Sequence, residues 1–180
     1  MAHRLLHCKC RVEGVVKLIK CMGSELTHAG VDWMRKKSVY VSDIARLAKF
    51  WSQTVLYIGC GNGKSFFLEL VAVSAAMEVE GTRKDHSQAF KRFLSYMVRM
   101  DQTRIVFIDF YSESEIPENL MQQTPLLLNP TNPFQNMFEC LDKDYESVIT
   151  SAARVTLAEL KSGCEDLVRL FYPQNYERRA

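Results

Sequence analysis

One apolar stretch near the middle of the chain constrains the fold more than any other feature. Residues 66–79 contain neither proline nor glycine, and their only charged side chains are Glu69 and Glu78. The pattern predicts a helix from Phe66 to Met77 that is apolar on nearly every side, with Ser65 as its N-cap. The stretch is too short and too polar to span a bilayer, so this helix must be buried among the other elements of a globular protein.

Weaker apolar patterns predict the helices that surround it. They favour three further helices and one helical turn, over residues 42–53, 88–99, 145–161 and 117–123. Ser42 is the expected N-cap of the first of these helices, and Gly163 is expected to end the last. Trp33 and Trp51 are expected in the core.

The spacing of apolar residues changes from a helical to a strand pattern in the segment before the last predicted helix. Residues 104–110 (RIVFIDF) are β-branched and aromatic and predict a strand, on which Asp109 stands alone as an acidic residue. Residues 126–128 predict a second short strand, and three prolines between 125 and 133 exclude helix there. The predicted fold class is mainly α (α+β), a helical bundle with one small two-stranded β element.

Composition and length suit one packed domain. Of 180 residues, 47% are apolar and 24% are charged. A domain is expected at 23–172, between a basic, poorly patterned lead-in at 1–22 and a polar tail at 173–180. The first residues lack the apolar segment of a signal peptide, and the six scattered cysteines then predict reduced thiols in a cytoplasmic protein without membrane contact.

Charge is distributed unevenly along the chain. The formal net charge of +2 does not by itself predict a nucleic-acid-binding protein. Residues 1–50, however, hold ten Lys and Arg against four Asp and Glu, whereas residues 51–180 hold thirteen against seventeen. Basic character is therefore expected on one part of the fold.

Three local motifs point to chemistry, and each is incomplete. Residues 7–10 (HCKC) lack a second ligand pair at zinc-binding spacing, so no metal site is predicted. Residues 59–65 (GCGNGKS) are one residue short of a phosphate-binding loop, whose first glycine would fall at Ile58. Residues 55–63 (VLYIGCGNG) resemble the first motif of S-adenosylmethionine-dependent methyltransferases, although Tyr57 replaces its usual acidic residue. A methyltransferase remains an alternative.

Four sequence blocks occur in the order and approximate spacing found in one enzyme family. Residues 43–51 (DIARLAKFW) resemble its IRLVKHW helix, and 68–81, which begin LELVAV and end MEVEG, resemble LELLTVYAWERG. Residues 90–94 (FKRFL) match FRTVLEL loosely, and 125–133 (PLLLNPTNP) match PVILDPADP. From about residue 25 to 160 the chain thus resembles the C-terminal helical lobe of the 2′-5′-oligoadenylate synthetases and of poly(A)-polymerase-like nucleotidyltransferases.

The resemblance implies an antiviral protein of innate immunity that acts on ATP when double-stranded RNA is bound. In the family, a Gly-Ser motif and three aspartates of the N-terminal core hold two Mg²⁺ ions for transfer to a 2′-hydroxyl. Gly23 and Ser24 are present here, but no Asp-x-Asp follows them. No catalytic residue is therefore predicted, and the chain alone is expected to be inactive. Mg²⁺ is expected only if the missing core is supplied, for example by pairing with a complete synthetase.

The resemblance also implies a nucleotide site. Lys49 matches the family's lysine on the donor triphosphate, and Arg46, one turn earlier, would support the same anion. Ser65 and Phe66 match a Gln-Tyr pair that faces the nucleotide, and the ring of Phe66 retains the ability to stack on a base. Asn129 replaces the aspartate of the family's LDP motif, so the role of that charge is lost.

Arg35, Lys36 and Lys37 match part of the family's RNA-binding strip. Duplex RNA is bound through phosphate and 2′-hydroxyl contacts, for which clustered Lys and Arg are suited. Tyr40 falls where the family often has another basic residue, so the strip is thinner here. The alternative to an enzyme lobe is a non-catalytic RNA-binding or interaction module.

Overall fold

The structure is a computed structural model that describes residues 29–55, 64–81 and 85–162. Several sequence features lie outside these ranges. They are the HCKC motif at 7–10, Gly23 and Ser24, nearly all of the glycine-rich segment 55–63, Gly163, and the predicted boundaries at 22/23 and 172/173.

The described chain is mainly helical, as predicted. Residues 29–35 form α1, which is followed by α2 (Val39–Val55), α3 (Lys64–Glu80), α4 (His86–Val98), α5 (Glu118–Met121) and α6 (Lys143–Lys161). Three short 3₁₀ helices lie at Met100–Gln102, Glu113–Glu115 and Met137–Cys140. The helical turn predicted at 117–123 corresponds to α5.

Helix α3 is buried at the centre, as its all-round apolar pattern predicts. Nine of its side chains are buried, and α2 and α4 pack against it. The two acidic residues inside the apolar run reach cations on these neighbours: Glu69 pairs with Lys49 of α2, and Glu78 accepts a hydrogen bond from Arg92 of α4. An otherwise apolar helix therefore accommodates its charges where it meets other helices.

Helices α2 and α3 run antiparallel. The Ser38 hydroxyl donates to Glu80 at 2.7 Å and joins the start of α2 to the end of α3. Lys49, later in α2, pairs with Glu69, earlier in α3. Helix α6 packs on α4 and also reaches α2, where the indole nitrogen of Trp51 donates to Thr156 at 3.1 Å. Trp51 and Trp33 are both buried, as predicted.

Two predicted N-caps are wrong. Helix α2 begins at Val39, and Ser38 is its cap, because the Ser38 hydroxyl accepts from the Val41 N–H at 3.3 Å. Ser42 lies inside that helix. Ser65 is likewise helical, because α3 includes Lys64 before it.

The sheet has three strands rather than the predicted two. Strand β1 (Arg104–Ile105) pairs in parallel with β2 (Leu126–Asn129), which pairs antiparallel with β3 (Asn132–Asn136). The predicted strand over 104–110 forms a ladder at only its first two residues, which pair with Leu126 and Leu127. Pro133 lies in β3, where its missing N–H is tolerated because β3 is an edge strand.

No helix within the described ranges combines the length and the apolar character needed to cross a membrane.

Candidate functional site

The residues predicted to bind nucleotide lie on two helices that pack against each other. We call Arg46, Lys49, Ser65, Phe66 and Glu69 the α2–α3 face. At its centre the Lys49 ammonium pairs with the Glu69 carboxylate; their side chains are 38% and 15% exposed. The pair holds the ammonium at the boundary between core and solvent, from which it can move to an anion that arrives at the surface.

Arg46 is the more exposed of the two cations of the α2–α3 face. Its side chain is 75% exposed, and its guanidinium donates to Asp43 at 2.8 Å. Asp43 also lies 3.9 Å from the imidazole Nε2 of His86. Exposed ion pairs of this kind contribute about 0–1 kcal/mol, so Arg46 can exchange Asp43 for another anion at small cost.

Ser65 and Phe66 occupy the first turn of α3 and are half-buried. The ring of Phe66 packs against the main core and against α1, where a Cβ atom added to Gly30 would lie 3.6 Å from it. One part of the ring is therefore covered by the backbone of α1. The remaining part is what a base could contact.

Lys64, which precedes this pair, is bound within the protein. Its ammonium donates to Asp142 at 2.7 Å and lies 4.4 Å from the centre of the Tyr145 ring. The Lys64 hydrogen bond and the Tyr145 N–H lower the pKa of Asp142, which caps α6. In a phosphate-binding loop this lysine would reach a phosphate, whereas here it joins α3 to α6.

Glu69 was not predicted as part of the site. The sequence shows it as a carboxylate surrounded by apolar residues, and such a residue needs a partner when it is buried. That signal was present, but only packing identifies Lys49 as the partner, because the two residues lie on different helices.

The three predicted RNA-binding cations have different surroundings. Arg35 is 77% exposed and lies 3.4 Å from Asp32. Lys36 has no carboxylate partner in the described ranges, and its ammonium lies 5.5 Å from the centre of the Phe110 ring. Arg35 and Lys36 thus face solvent.

Lys37, in contrast, is turned into the protein. Its side chain is only 12% exposed, and its ammonium lies 4.3 Å from the centre of the Trp33 ring and 3.4 Å from Asp109. The Trp33 indole nitrogen also donates to Asp109, at 2.8 Å. The expectation that Asp109 lies on a strand is wrong: it lies in a bend after β1, and its bonds join that segment to α1.

Asn129 acts within the β2–β3 hairpin. Its amide oxygen accepts from the N–H and the hydroxyl of Thr131, both at 3.0 Å, and its amide nitrogen donates to Gln135 at 2.9 Å. A carboxylate could not make the last of these bonds, because it has no donor. The amide therefore stabilises the hairpin.

No group of three acidic, histidine or cysteine side chains that could hold a metal ion occurs among the described residues.

Comparison with known proteins identifies the family. Residues 18–170 match the domain described as “2'-5'-oligoadenylate synthetase 1, domain 2, C-terminus”. The chain belongs to this family. The earlier resemblance, drawn from four short blocks, is thus confirmed over most of the chain. Among curated proteins no match was found.

Solved structures support the fold of this oligoadenylate synthetase domain. A structure described as E. coli MS115-1 CdnC with ATP has a TM-score of 0.58 and 21% identity, over 87% of this chain and 48% of that chain. A complex of CdnC with HORMA-deltaN from the same organism has a TM-score of 0.57 and 20% identity, over 87% and 49%. The chain spans about half the length of these structures, and what it shares with them is the fold.

The methyltransferase alternative gains nothing from the described residues. A cofactor-binding glycine motif of that kind follows a strand, but the residue that opens the segment here, Val55, is the last residue of α2. The segment also leads into a helix that belongs to an antiparallel helix pair. The order of elements is not the alternation of strands and helices that such a fold needs.

Proposed function

We propose that this chain acts as the nucleotide-contacting lobe of an oligoadenylate synthetase-like nucleotidyltransferase of innate antiviral type, in the cytoplasm. The observation that carries the proposal is the α2–α3 face. Lys49 and the Ser65–Phe66 pair lie on different helices, and the packing of α2 against α3 brings Lys49 to Glu69, one turn after Ser65 and Phe66.

The surroundings of these residues suit a nucleoside triphosphate. Lys49 provides a flexible cation whose carboxylate partner is itself partly accessible, and Arg46 provides a second cation one turn away. Phosphate oxygens would replace Glu69 and Asp43 as acceptors for the two cations, in charge-assisted hydrogen bonds. The accessible part of the Phe66 ring would contact the base, without the hydrogen bonds that the family's amide and hydroxyl provide.

Catalysis would require carboxylates that the described residues do not bring together. We propose that the two Mg²⁺ ions are held by a nucleotidyltransferase core outside this lobe, either elsewhere in the same protein or in a complete synthetase that pairs with it. The lobe itself binds and orients the triphosphate. On this proposal the purified chain binds ATP but does not polymerise it.

Binding of ATP to variants of the α2–α3 face tests this proposal. Lys49→Ala is expected to weaken ATP binding, measured by titration calorimetry, by about tenfold or more, because a charge-assisted contact is lost. Arg46→Ala should weaken it by about twofold to fivefold, since Arg46 is more exposed. Lys143→Ala, at the start of α6, is the matched control and should leave ATP affinity unchanged.

Two outcomes would contradict this assignment. Equal ATP affinity for wild type and Lys49→Ala, with unchanged melting temperatures, would remove Lys49 from the site. Incubation of the purified chain with ATP, Mg²⁺ and poly(I:C) should give no oligoadenylates, and their appearance would show that the chain is catalytic by itself.

Arg35 and Lys36 support a second proposal, that the chain binds double-stranded RNA. Both cations are exposed at the end of α1, and neither is buried by the core. Charge reversal at Arg35 and Lys36 should weaken binding to duplex RNA and flatten its dependence on salt. Unchanged affinity and salt dependence in the double variant would exclude this surface.

A further inference from the structure

The segment that follows β1 alternates between anchored and exposed side chains. Phe107 and Tyr111 are buried, and Asp109 is bonded to Trp33 and Lys37. Between these anchors, Ile108 is 64% exposed and Phe110 is 49% exposed. We call these two the apolar pair. It stands on the solvent side of this segment.

Three separate contacts hold this segment in place. The Phe107 ring meets the Trp33 ring edge-on at 5.0 Å, Asp109 accepts from Trp33, and the Tyr111 hydroxyl donates to the carbonyl of Asn129 at 2.9 Å. Burial, with a smaller contribution from Asp109, raises the pKa of Tyr111 to about 12. The apolar pair is therefore presented on a fixed backbone, which lowers the entropic cost of binding a partner.

Phe110 also lies beside the basic segment. The ammonium of Lys36 is 5.5 Å from the centre of its ring, and Lys36 has no carboxylate partner among the described residues. If Lys36 turns from the ring to a phosphate, it uncovers the face that it leaves. The base of that nucleotide or of its neighbour would then lie within reach of this face.

We propose that the apolar pair is a subsite for an unpaired RNA base, which stacks on Phe110 while Lys36 holds the adjacent phosphate. The inference rests on the proposed binding of RNA at Arg35 and Lys36. A cation beside an exposed aromatic ring is the combination that single-stranded nucleic acid requires. Bases inside a duplex are already stacked on each other, so the subsite would act on nucleotides beside the duplex.

The test compares two RNAs, a blunt duplex and the same duplex with a five-nucleotide unpaired tail, by fluorescence anisotropy at several salt concentrations. Phe110→Ala should weaken binding of the tailed RNA by about tenfold, the effect of losing one stacked base. Its salt dependence and its affinity for the blunt duplex should stay close to wild type. Phe110→Trp should retain tailed-RNA binding, because the indole also stacks.

Phe134 provides the matched control, because it is an exposed aromatic residue (70%) with no cation over its ring in the described part of the chain. Phe134→Ala should bind both RNAs like wild type. Phe110→Leu, which keeps apolar bulk but cannot stack, replaces Phe110→Ala if the alanine variant melts at a lower temperature, and the same loss is expected.

The outcomes separate this inference from the proposal beneath it. If wild type binds neither RNA, the RNA-binding proposal fails and the subsite fails with it. If Lys36→Glu weakens binding but the Phe110 variants bind tailed RNA like wild type, RNA binding stands and the subsite is wrong. The subsite is also wrong if Phe110→Ala loses equal affinity for blunt and tailed RNA, or if Phe134→Ala loses as much affinity for tailed RNA as Phe110→Ala does.

Discussion

The α2–α3 face and the basic segment 35–37 both present cations, but they use them differently. On the α2–α3 face, Lys49 and Arg46 pair with carboxylates near the surface and keep 38% and 75% of their side chains exposed. In the basic segment, exposure falls from 77% at Arg35 to 12% at Lys37 within three residues. Adjacent cations in a sequence can therefore have different surroundings, one exposed to solvent and the other holding the fold together.

The largest expected effect concerns stability in the basic segment. Lys37→Met removes a mostly buried ammonium from Asp109 and from the Trp33 ring, and should lower the free energy of unfolding in urea by about 2 kcal/mol. Arg35→Met breaks an exposed pair and should cost less than about 0.5 kcal/mol. The loss of unfolding free energy in Lys49→Met should lie between these two values. Similar losses of stability in Arg35→Met and Lys37→Met would contradict the comparison.

The next effect concerns RNA affinity within the same three residues. Arg35→Glu and Lys36→Glu should each weaken binding of duplex RNA by several-fold and lower the salt slope by about one unit, because each loses a phosphate contact. Lys37→Met should leave the slope unchanged in the folded protein. A drop in slope for Lys37→Met, with circular dichroism showing an intact fold, would place Lys37 on the RNA.

A smaller effect is expected when the partner of Lys49 is neutralised. Glu69→Gln keeps the size of the side chain but ends its competition for the ammonium, so ATP affinity should rise by about twofold to threefold. Glu78→Gln, which neutralises an acidic residue of α3 that bonds to Arg92 rather than to Lys49, is the control. Weaker ATP binding in Glu69→Gln would mean that the carboxylate orients Lys49 toward the nucleotide.

The smallest effect is a pH dependence of the free energy of unfolding that comes from a third lysine–carboxylate pair. Lys64 and the Tyr145 N–H lower the pKa of Asp142 below 3.8, so the unfolded chain takes up a proton first as pH falls. This contribution is complete above about pH 5 and is lost as pH falls through the folded pKa. Asp142→Asn should flatten the acid limb of the unfolding curve. Glu115, whose pKa is lowered by Ser112, should leave a residual slope.

How much of the fold could be predicted depends on the range of the interactions. The burial of α3 follows from its own composition, and α4 and α6 follow from apolar spacing, because helical contacts repeat within a few residues. The start of α2 was misplaced because Ser38 and Ser42 are both good caps, and only the packing of Tyr40 and Val41 into the core selects the first. Strand β3 was not predicted because it contains Pro133. A proline is tolerated in a strand at the edge of a sheet, and the sequence alone does not show which strand lies at the edge.

The site shows the same limit. The family resemblance assigned Lys49 and Phe66 to the nucleotide, and the structure places their helices together. The carboxylates Glu69 and Asp109 could not be assigned from the sequence, because each meets its lysine across a gap of twenty residues or more. Long-range ion pairs decide which cations remain available, and they are visible only in the folded chain.

The spacing of the two contacts between α2 and α3 has a mechanical consequence. On α2, Ser38 and Lys49 are separated by the same number of residues as Glu69 and Glu80 on α3. The two contacts are therefore the same distance apart, about 16 Å, along both helices. Sliding one helix past the other would break both contacts at once. The two contacts therefore fix the register of α2 against α3.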